Sequence, residues 1–343
     1  MAHDLAAEDE HGEGTMKVFV TGAAGFIGSH LTGDLLAAGH QVTGLDDLST
    51  GRLENLRTVA GHPSFRLVQG SILDAATVAE LAAGADWVFH LAAAVGVFVI
   101  RDRTLDSLRT NIRGTENVVE AAHRAGARLL VASTSEIYGK NTKVGLREDD
   151  DRVLGSPLKS RWSYSEAKAV DESLVEAYAR ELGLSAVIVR FFNTVGPRQT
   201  GRYGMVIPRF VRQGLAGQPL TVFGTGQQVR CFCHVHDVVP ALTRLIASDR
   251  ARGRAVNLGS TEQVTIESLA GRVIAATGSM AGIERASYLE AYGSGYEDMQ
   301  RRVPDCTLAA DLVGFRATRS LDNIIQAVIE DQLAGRPAAA AAS

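Results

Sequence analysis

Lys17-Val-Phe-Val-Thr-Gly22-Ala-Ala-Gly25-Phe-Ile-Gly28-Ser-His-Leu31 decides the fold of this chain. A short apolar run ends in a glycine-rich turn, and a run compatible with a helix begins directly beyond it. In such a strand–turn–helix Gly22 lets the chain turn and Gly25 lets the backbone approach a pyrophosphate. Gly28 lets the helix pack on the strand, and the helix N-terminus offers unpaired N–H groups to the anion. The spacing is GxxGxxG rather than GxGxxG, which alters the turn but keeps this logic. A second apolar run closes at Asp46, where a carboxylate can accept from ribose hydroxyls and would repel a 2′-phosphate. That points to NAD rather than NADP. The competing reading is a glycine turn with no ligand.

Working outward, Lys17–Thr21, Gln41–Leu45, Phe65–Gln69, Asp86–Leu91, Arg128–Ser133 and Ala186–Phe191 read as buried strands. Gly28–Ala38, Ala75–Ala83, Thr104–Ala125 and Tyr164–Leu182 have helical spacing. This alternation predicts an α/β fold, a Rossmann-type doubly wound parallel sheet with ligands at the carboxyl ends of its strands. After about Asn193 the rhythm breaks, which implies a smaller, discontinuous C-terminal lobe. The expected division is a disordered leader over 1–15, a dinucleotide-binding domain over 16–192 plus 232–260, a substrate lobe over 193–231 plus 261–333, and a flexible tail over 334–343. Val238–Ser248 and Ala255–Leu258 are expected to return to the sheet, with Asp237 as a helix N-cap.

Composition narrows the function class. The chain has 343 residues, 45% of them hydrophobic and 22% charged, enough to bury a sizeable core. A net charge of −4 gives no basic field for nucleic acid or an anionic membrane. The longest apolar stretch, Leu91 to Ile100, is half of what a bilayer span requires. Three cysteines make no disulfide framework, and the opening Met-Ala-His-Asp has no signal-peptide character. The expectation is a cytoplasmic protein.

Further motifs follow in order: His90-Leu-Ala-Ala-Ala94, Asn111, Ala132-Ser-Thr-Ser-Glu-Ile-Tyr-Gly139, Tyr164-Ser-Glu-Ala-Lys168, Arg190 to Arg198, Arg230 to Asp237, and Gln300-Arg-Arg-Val-Pro-Asp305. With the glycine turn they make the chain resemble an extended short-chain dehydrogenase/reductase of the NAD-dependent nucleotide-sugar epimerase/dehydratase group, over about Met16 to Asp331. One departure is Ser71, where many relatives carry an Asp beside the adenine. The resemblance implies NAD held by Gly22, Gly25, Phe26, Ile27, Gly28, Asp46, Ile72, Leu91, Ala92 and Ala93, with Tyr164 and Lys168 at the nicotinamide ribose. It implies a nucleotide-diphosphate sugar, UDP-linked, on Asn193, Arg198, Val206, Arg230, Arg302 and Asp305. It also implies a homodimer through the helices near 104–125 and 162–182.

Tyr164 and Lys168, spaced i and i+4, share a helix face, and an ammonium beside a phenol is expected to lower its pKa toward that of a general base. Thr134 would complete the proton path to a sugar O4 while hydride leaves C4. The next residues choose the outcome. Dehydratase relatives have Asp-Glu after this Thr; here Ser135-Glu136 stands there, which disfavours dehydration. Ser135-Glu136, Asn193-Thr194 and the 300–305 segment resemble UDP-glucuronate decarboxylases. Leu154–Ser163 lacks their Tyr/Trp-rich segment, which turns the reading toward a 4-epimerase of a UDP-hexose or UDP-hexuronate. The decarboxylase stays as the alternative, and a non-catalytic NAD-binding protein as a remote one.

Of the other arginines (Arg190, Arg202, Arg209, Arg301), solvation is the default role, and Arg198 is the first candidate for a sugar carboxylate. Val95, Val97, Phe98, Met205 and Tyr296 are candidate pocket walls. Cys231, Cys233, His234 and His236 crowd together, yet strand periodicity sends the cysteines and histidines to opposite sides, so no metal is expected. Glu148–Asp151 reads as a solvated loop.

Overall fold

A computed structural model describes residues 14–96, 102–201, 204–288 and 297–335. The expectations for residues 1–13, for the tail from Arg336, and for Val97, Phe98, Arg202 and Tyr296 lie outside the described residues.

The first half alternates strand and helix: β1 (Lys17–Thr21), α1 (Phe26–Ala37), β2 (Gln41–Asp46), β3 (Phe65–Gln69), α2 (Ala75–Ala82), β4 (Trp87–His90), α3 (Thr104–Ala125), β5 (Arg128–Thr134), α4 (Ser163–Leu182) and β6 (Ala186–Phe191). Then come β7 (Thr194–Val195), α5 (Val206–Leu215), β8 (Leu220–Phe223), β9 (Val229–Cys231), β10 (Cys233–His234), α6 (Val235–Ala247) and β11 (Arg254–Leu258). The chain closes with β12 (Gln263–Thr265), α7 (Ile266–Thr277), β13 (Ile283–Ala286), α8 (Thr307–Val313) and α9 (Leu321–Ala334).

Seven strands form one parallel sheet in the order β11-β6-β5-β4-β1-β2-β3. Strand alternation builds a core on each face. Val18 and Val20 point to one core with Leu31, Leu35 and Val238, while Phe19 points to the other with Val78, Val118 and Val175. The order reverses between β1 and β4, so the crevice at the carboxyl ends of these two strands is where a ligand can enter. A third core joins α5, α7 and α9 through Phe210, Leu269 and Ile325.

One local expectation fails. Helix α6 starts at Val235 because the His234 ring, rather than Asp237, accepts the His236 N–H as its N-cap. Asp237 instead accepts from the backbone of Thr318 and Arg319, tying α6 to the segment before α9.

Candidate active site

A cleft of about 920 Å³ runs along the carboxyl ends of the strands. Its floor is the glycine turn. Gly22 has φ +73°, and a Cβ there would stand 2.8 Å from the Ala92 nitrogen. A Cβ on Gly28 would stand 2.0 Å from the Gly22 carbonyl oxygen, so helix and turn touch as backbone on backbone. Gly25 is the α1 N-cap and has no side chain to offer, so the first-turn N–H groups remain directed to the cleft. These three glycines with Phe26, Ile27, Ile72, Leu91, Ala92 and Ala93 line the same cleft. Asp46 lines it too, at the tip of β2. One of its carboxylate oxygens accepts from Ala24 N–H at 2.9 Å and the other from Leu48 N–H at 2.8 Å. Burial pushes the Asp46 carboxyl up, against these two hydrogen bonds. A cradle that excludes every Cβ, beside a helix N-terminus and an oriented carboxylate, fits a dinucleotide pyrophosphate and ribose.

The reactive strip starts where β5 ends. Thr134 accepts from Glu136 N–H at 3.2 Å, turning the chain into a short 3₁₀ turn that presents Ser135 and Glu136. Ser165 donates to the Glu136 carbonyl at 2.9 Å and docks that turn on α4 beside Tyr164. Thr134, Ser135, Glu136 and Tyr164 all line the cleft. Lys168 lies below them, 1% exposed, donating to Asp171 at 3.0 Å. This arrangement corrects the expected pKa: burial, together with the Glu136 and Asp171 carboxylates, holds the Tyr164 hydroxyl well above its ordinary value. The ammonium is neutralised by its own carboxylate partner, so its field at the phenol is small.

At the far end of the cleft the charges converge. Arg161 donates to Glu136 from both terminal nitrogens, at 2.8 and 3.3 Å. Arg302 donates to Ser135 at 3.3 Å and to Asn193 at 3.0 Å, and lies 3.7 Å from Glu136. Arg230 is paired with Asp298 at 3.0 Å. Burial pushes Glu136 up, yet Arg161 and Arg302 more than compensate and hold it below the usual carboxylate range. Burial, with Arg230 nearby, lowers Arg302 to about 10, so it stays a cation. Arg302 reaches this place because its strand-like segment is pinned on both sides: Arg302 N–H bonds Val229, and the Val303 carbonyl accepts from Leu146. Asn193, at φ +35°, donates to the Cys231 carbonyl at 2.8 Å, using the left-handed backbone that Asn tolerates.

Asn193, Arg198, Val206, Arg230 and Arg302 line the cleft. Asp305 does not; its carboxylate accepts from Thr307 N–H at 2.8 Å just before α8, whose N-cap is Cys306. Arg198 donates its backbone N–H to Asp331, and the charges of Asp331, Asp34 and Arg57 act on its guanidinium. Arg190 is structural, paired with Glu172. Glu148 is not merely solvated, for it accepts from Asn257 N–H at 2.8 Å. Sequence reasoning missed Arg161, three residues before Tyr164 on the stretch judged only for its missing aromatics. It also missed Asp298, whose only signal was an acidic residue near the arginine-rich 300–302 segment. Among the described residues no group of three or more His, Cys, Asp or Glu side chains is placed to hold a metal, and no helix is long and apolar enough to cross a membrane.

Residues 18–259 match the NAD dependent epimerase/dehydratase family. The chain belongs to that family. Its cofactor is NAD. The chain is 37% identical over 315 residues to a UDP-N-acetyl-alpha-D-glucosaminuronate decarboxylase of Bacillus cytotoxicus, covering 92% of this chain and 97% of that one. It is 34% identical over 314 residues to UDP-glucuronic acid decarboxylase 1 of Danio rerio, covering 92% and 72%. Among solved structures it is similar to the UDP-glucuronic acid 4-epimerase of Bacillus cereus in complex with UDP-glucuronic acid and NAD. There the TM-score is 0.83 and the identity 28%, covering 93% of this chain and 100% of that one. This family member therefore carries the glycine cradle on which its cofactor fits and, separate from it, a charged end of the cleft.

Proposed function

We propose that this family member decarboxylates a UDP-hexuronate to the corresponding UDP-pentose through a 4-keto intermediate. The observation that carries the reading is the charge count at the sugar end. Arg161, Arg302 and Arg230 face Glu136 and Asp298, three cations against two anions, with Arg302 also donating to the Ser135 hydroxyl. One uncompensated buried guanidinium calls for an anionic group on the sugar itself. The names of the relatives at 37% and 34% identity support the same substrate class. The order expected from sequence alone, epimerase before decarboxylase, is thereby reversed.

NAD, when bound, supplies the hydride acceptor and donor for C4 and, in its oxidised form, a positive charge. The remaining steps belong to the chain and the sugar. Tyr164, beside Thr134, takes the O4 proton. Oxidation at C4 places the C6 carboxylate β to a ketone, so the C5–C6 bond can break with its electron pair passing to the ketone oxygen as an enolate, releasing carbon dioxide. C5 then takes up a proton, and Tyr164 returns one to O4 as the ketone is reduced. Arg302 and Ser135 hold the carboxylate while it is still an anion.

A second reading, a UDP-hexuronate 4-epimerase, is favoured by the likeness to the Bacillus cereus structure. Incubation with UDP-glucuronate and with UDP-N-acetylglucosaminuronate, followed by mass spectrometry and NMR, separates the two. Loss of carbon dioxide is expected, and a product of unchanged mass inverted at C4 overturns the decarboxylase. The same reading places the enzyme in the cytoplasm as a homodimer through α3 and α4, whose outer faces expose Leu105 and Val170. A monomer at micromolar concentration in sedimentation would overturn the dimer.

A further inference from the structure

Arg161 is absorbed neither by the cofactor site nor by the proton path through Tyr164. Its guanidinium is 7% exposed and faces Glu136 as a fork, both terminal nitrogens reaching the two carboxylate oxygens. Its flat face lies 5.3 Å from the centre of the fully buried Trp162 ring. Trp162 is held in turn by its indole N–H to Glu297 at 3.0 Å, and Glu297 also takes Lys159 and Lys140. Arg161 is thus packed on the Trp162 ring while its terminal nitrogens meet Glu136. Arg302 is different. It lies 3.7 Å from Glu136 and donates to the neutral Ser135 hydroxyl and Asn193 amide oxygen.

We infer that Arg161 is a positioning residue: it clamps Glu136 and takes up its charge, leaving Arg302 as the cation that faces the sugar's carboxylate. This rests on the proposed hexuronate substrate but not on which product forms. With Arg161 present the trio of Arg161, Arg302 and Glu136 carries one positive charge at any pH where Glu136 is ionised. Without Arg161 the same site is neutral, and it becomes positive only when Glu136 takes a proton. A buried carboxyl relieved of a bidentate cation titrates higher, so that proton is taken up at a higher pH than in the native protein.

The test is binding rather than turnover. Dissociation constants for UDP-glucuronate and for the uncharged UDP-glucose are measured on the NAD-loaded protein between about pH 8 and about pH 5.5, spanning the range in which a buried carboxyl titrates. The ratio of the two constants cancels every titration outside the sugar end. In the native protein the ratio is expected to be flat. In Arg161→Gln the preference for UDP-glucuronate is expected to fall by about tenfold at the alkaline end and to recover as the pH drops. Arg161→Lys, which keeps the charge, is expected to restore most of the preference. Arg161→Gln combined with Glu136→Gln is expected to be flat again, since the titrating group is gone. A flat ratio in Arg161→Gln overturns the inference. An enzyme that binds UDP-glucuronate no better than UDP-glucose at any pH overturns the hexuronate reading instead, while one that yields only the C4 epimer overturns the decarboxylase alone.

Discussion

The two ends of the cleft are built by different means. The dinucleotide end is made of backbone: three glycines, a helix N-terminus and the amide-bonded Asp46, all contributed by residues 22–46. The sugar end is made of side chains: Ser135, Glu136, Arg161, Asn193, Arg230 and Arg302, brought from five separate segments and balanced by charge. A backbone cradle tolerates almost no added atom but is indifferent to ionisation. A charged cluster tolerates changes of shape yet depends on every formal charge within it. Five variants or conditions can break or sharpen that contrast.

The largest effect is expected at Gly28. A Cβ placed 2.0 Å from the Gly22 carbonyl cannot be accommodated by a side-chain rotation, because the obstacle is backbone. Gly28→Val should purify without NAD and with a markedly lowered melting temperature, both read directly by released-nucleotide absorbance and calorimetry. Retention of NAD at the native ratio would break the backbone account. Next, Tyr164→Phe should keep both NAD and fold yet lose roughly 10²- to 10⁴-fold in turnover, the usual worth of a general acid–base group. Because burial and two carboxylates raise the Tyr164 hydroxyl, the native rate should still be rising with pH above neutrality.

Arg302→Gln tests the other end. It should raise KM for a hexuronate by about ten- to a hundredfold, the value of a charge-assisted hydrogen bond, and change the affinity for UDP-glucose much less. Equal losses for both sugars would show that Arg302 serves the diphosphate instead.

Acid should strike the dinucleotide end first. His90 bridges Thr21 at 2.8 Å and Thr115 at 3.0 Å beneath the dinucleotide end, and burial, with Lys168 nearby, lowers it to about 3. His30, beside α1, is lowered by burial to about 4. A base whose folded pKa is depressed binds its proton more readily when unfolded. The stability it confers is therefore complete above about 6.5 and is lost as the pH falls toward the folded value. The unfolding free energy from urea titration should fall below neutrality by on the order of 2 kcal/mol for His90 near pH 5, and His90→Gln should reduce that slope. Glu136, held low by its arginines, keeps the sugar end charged through the same range. A urea midpoint independent of pH from 7 to about 5 would contradict the sign worked out here.

The contrast also explains what could be read in advance. Alternating strands such as Val18-Phe19-Val20 and the glycine turn are local patterns, and each strand predicted in the first 191 residues is present to within two residues of its expected ends. The parallel direction follows from the crossovers that carry the chain back, whereas the order does not, since β3 and β4, joined through α2, are not neighbours. The sugar end had no such local pattern. Arg302 and Arg198 are equally plausible as sequence, and only the pinning of the 300–305 segment between Val229 and Leu146 separates them. The Tyr164 pKa failed for a related reason. The i, i+4 rule locates Lys168 but is silent on Asp171, one turn further along the same helix, which neutralises it.

Asp305 provides the smallest and most discriminating effect. The resemblance gave it a place at the substrate, whereas its carboxylate accepts from Thr307 N–H and Arg147 and Lys143 help hold it below the usual range. A side-chain to backbone hydrogen bond of this kind contributes about 1 kcal/mol. Asp305→Ala should therefore lower stability by that amount and leave KM and turnover unchanged, because the residue precedes α8 and does not line the cleft. Asp305→Asn, which keeps the acceptor oxygen, should recover most of the loss. A change in KM without a change in stability would move Asp305 back into the sugar end, and would imply that the 300–305 segment shifts when substrate binds. The pair of variants separates a residue that shapes the site's support from one that touches the sugar, which is the distinction that motif matching alone does not make.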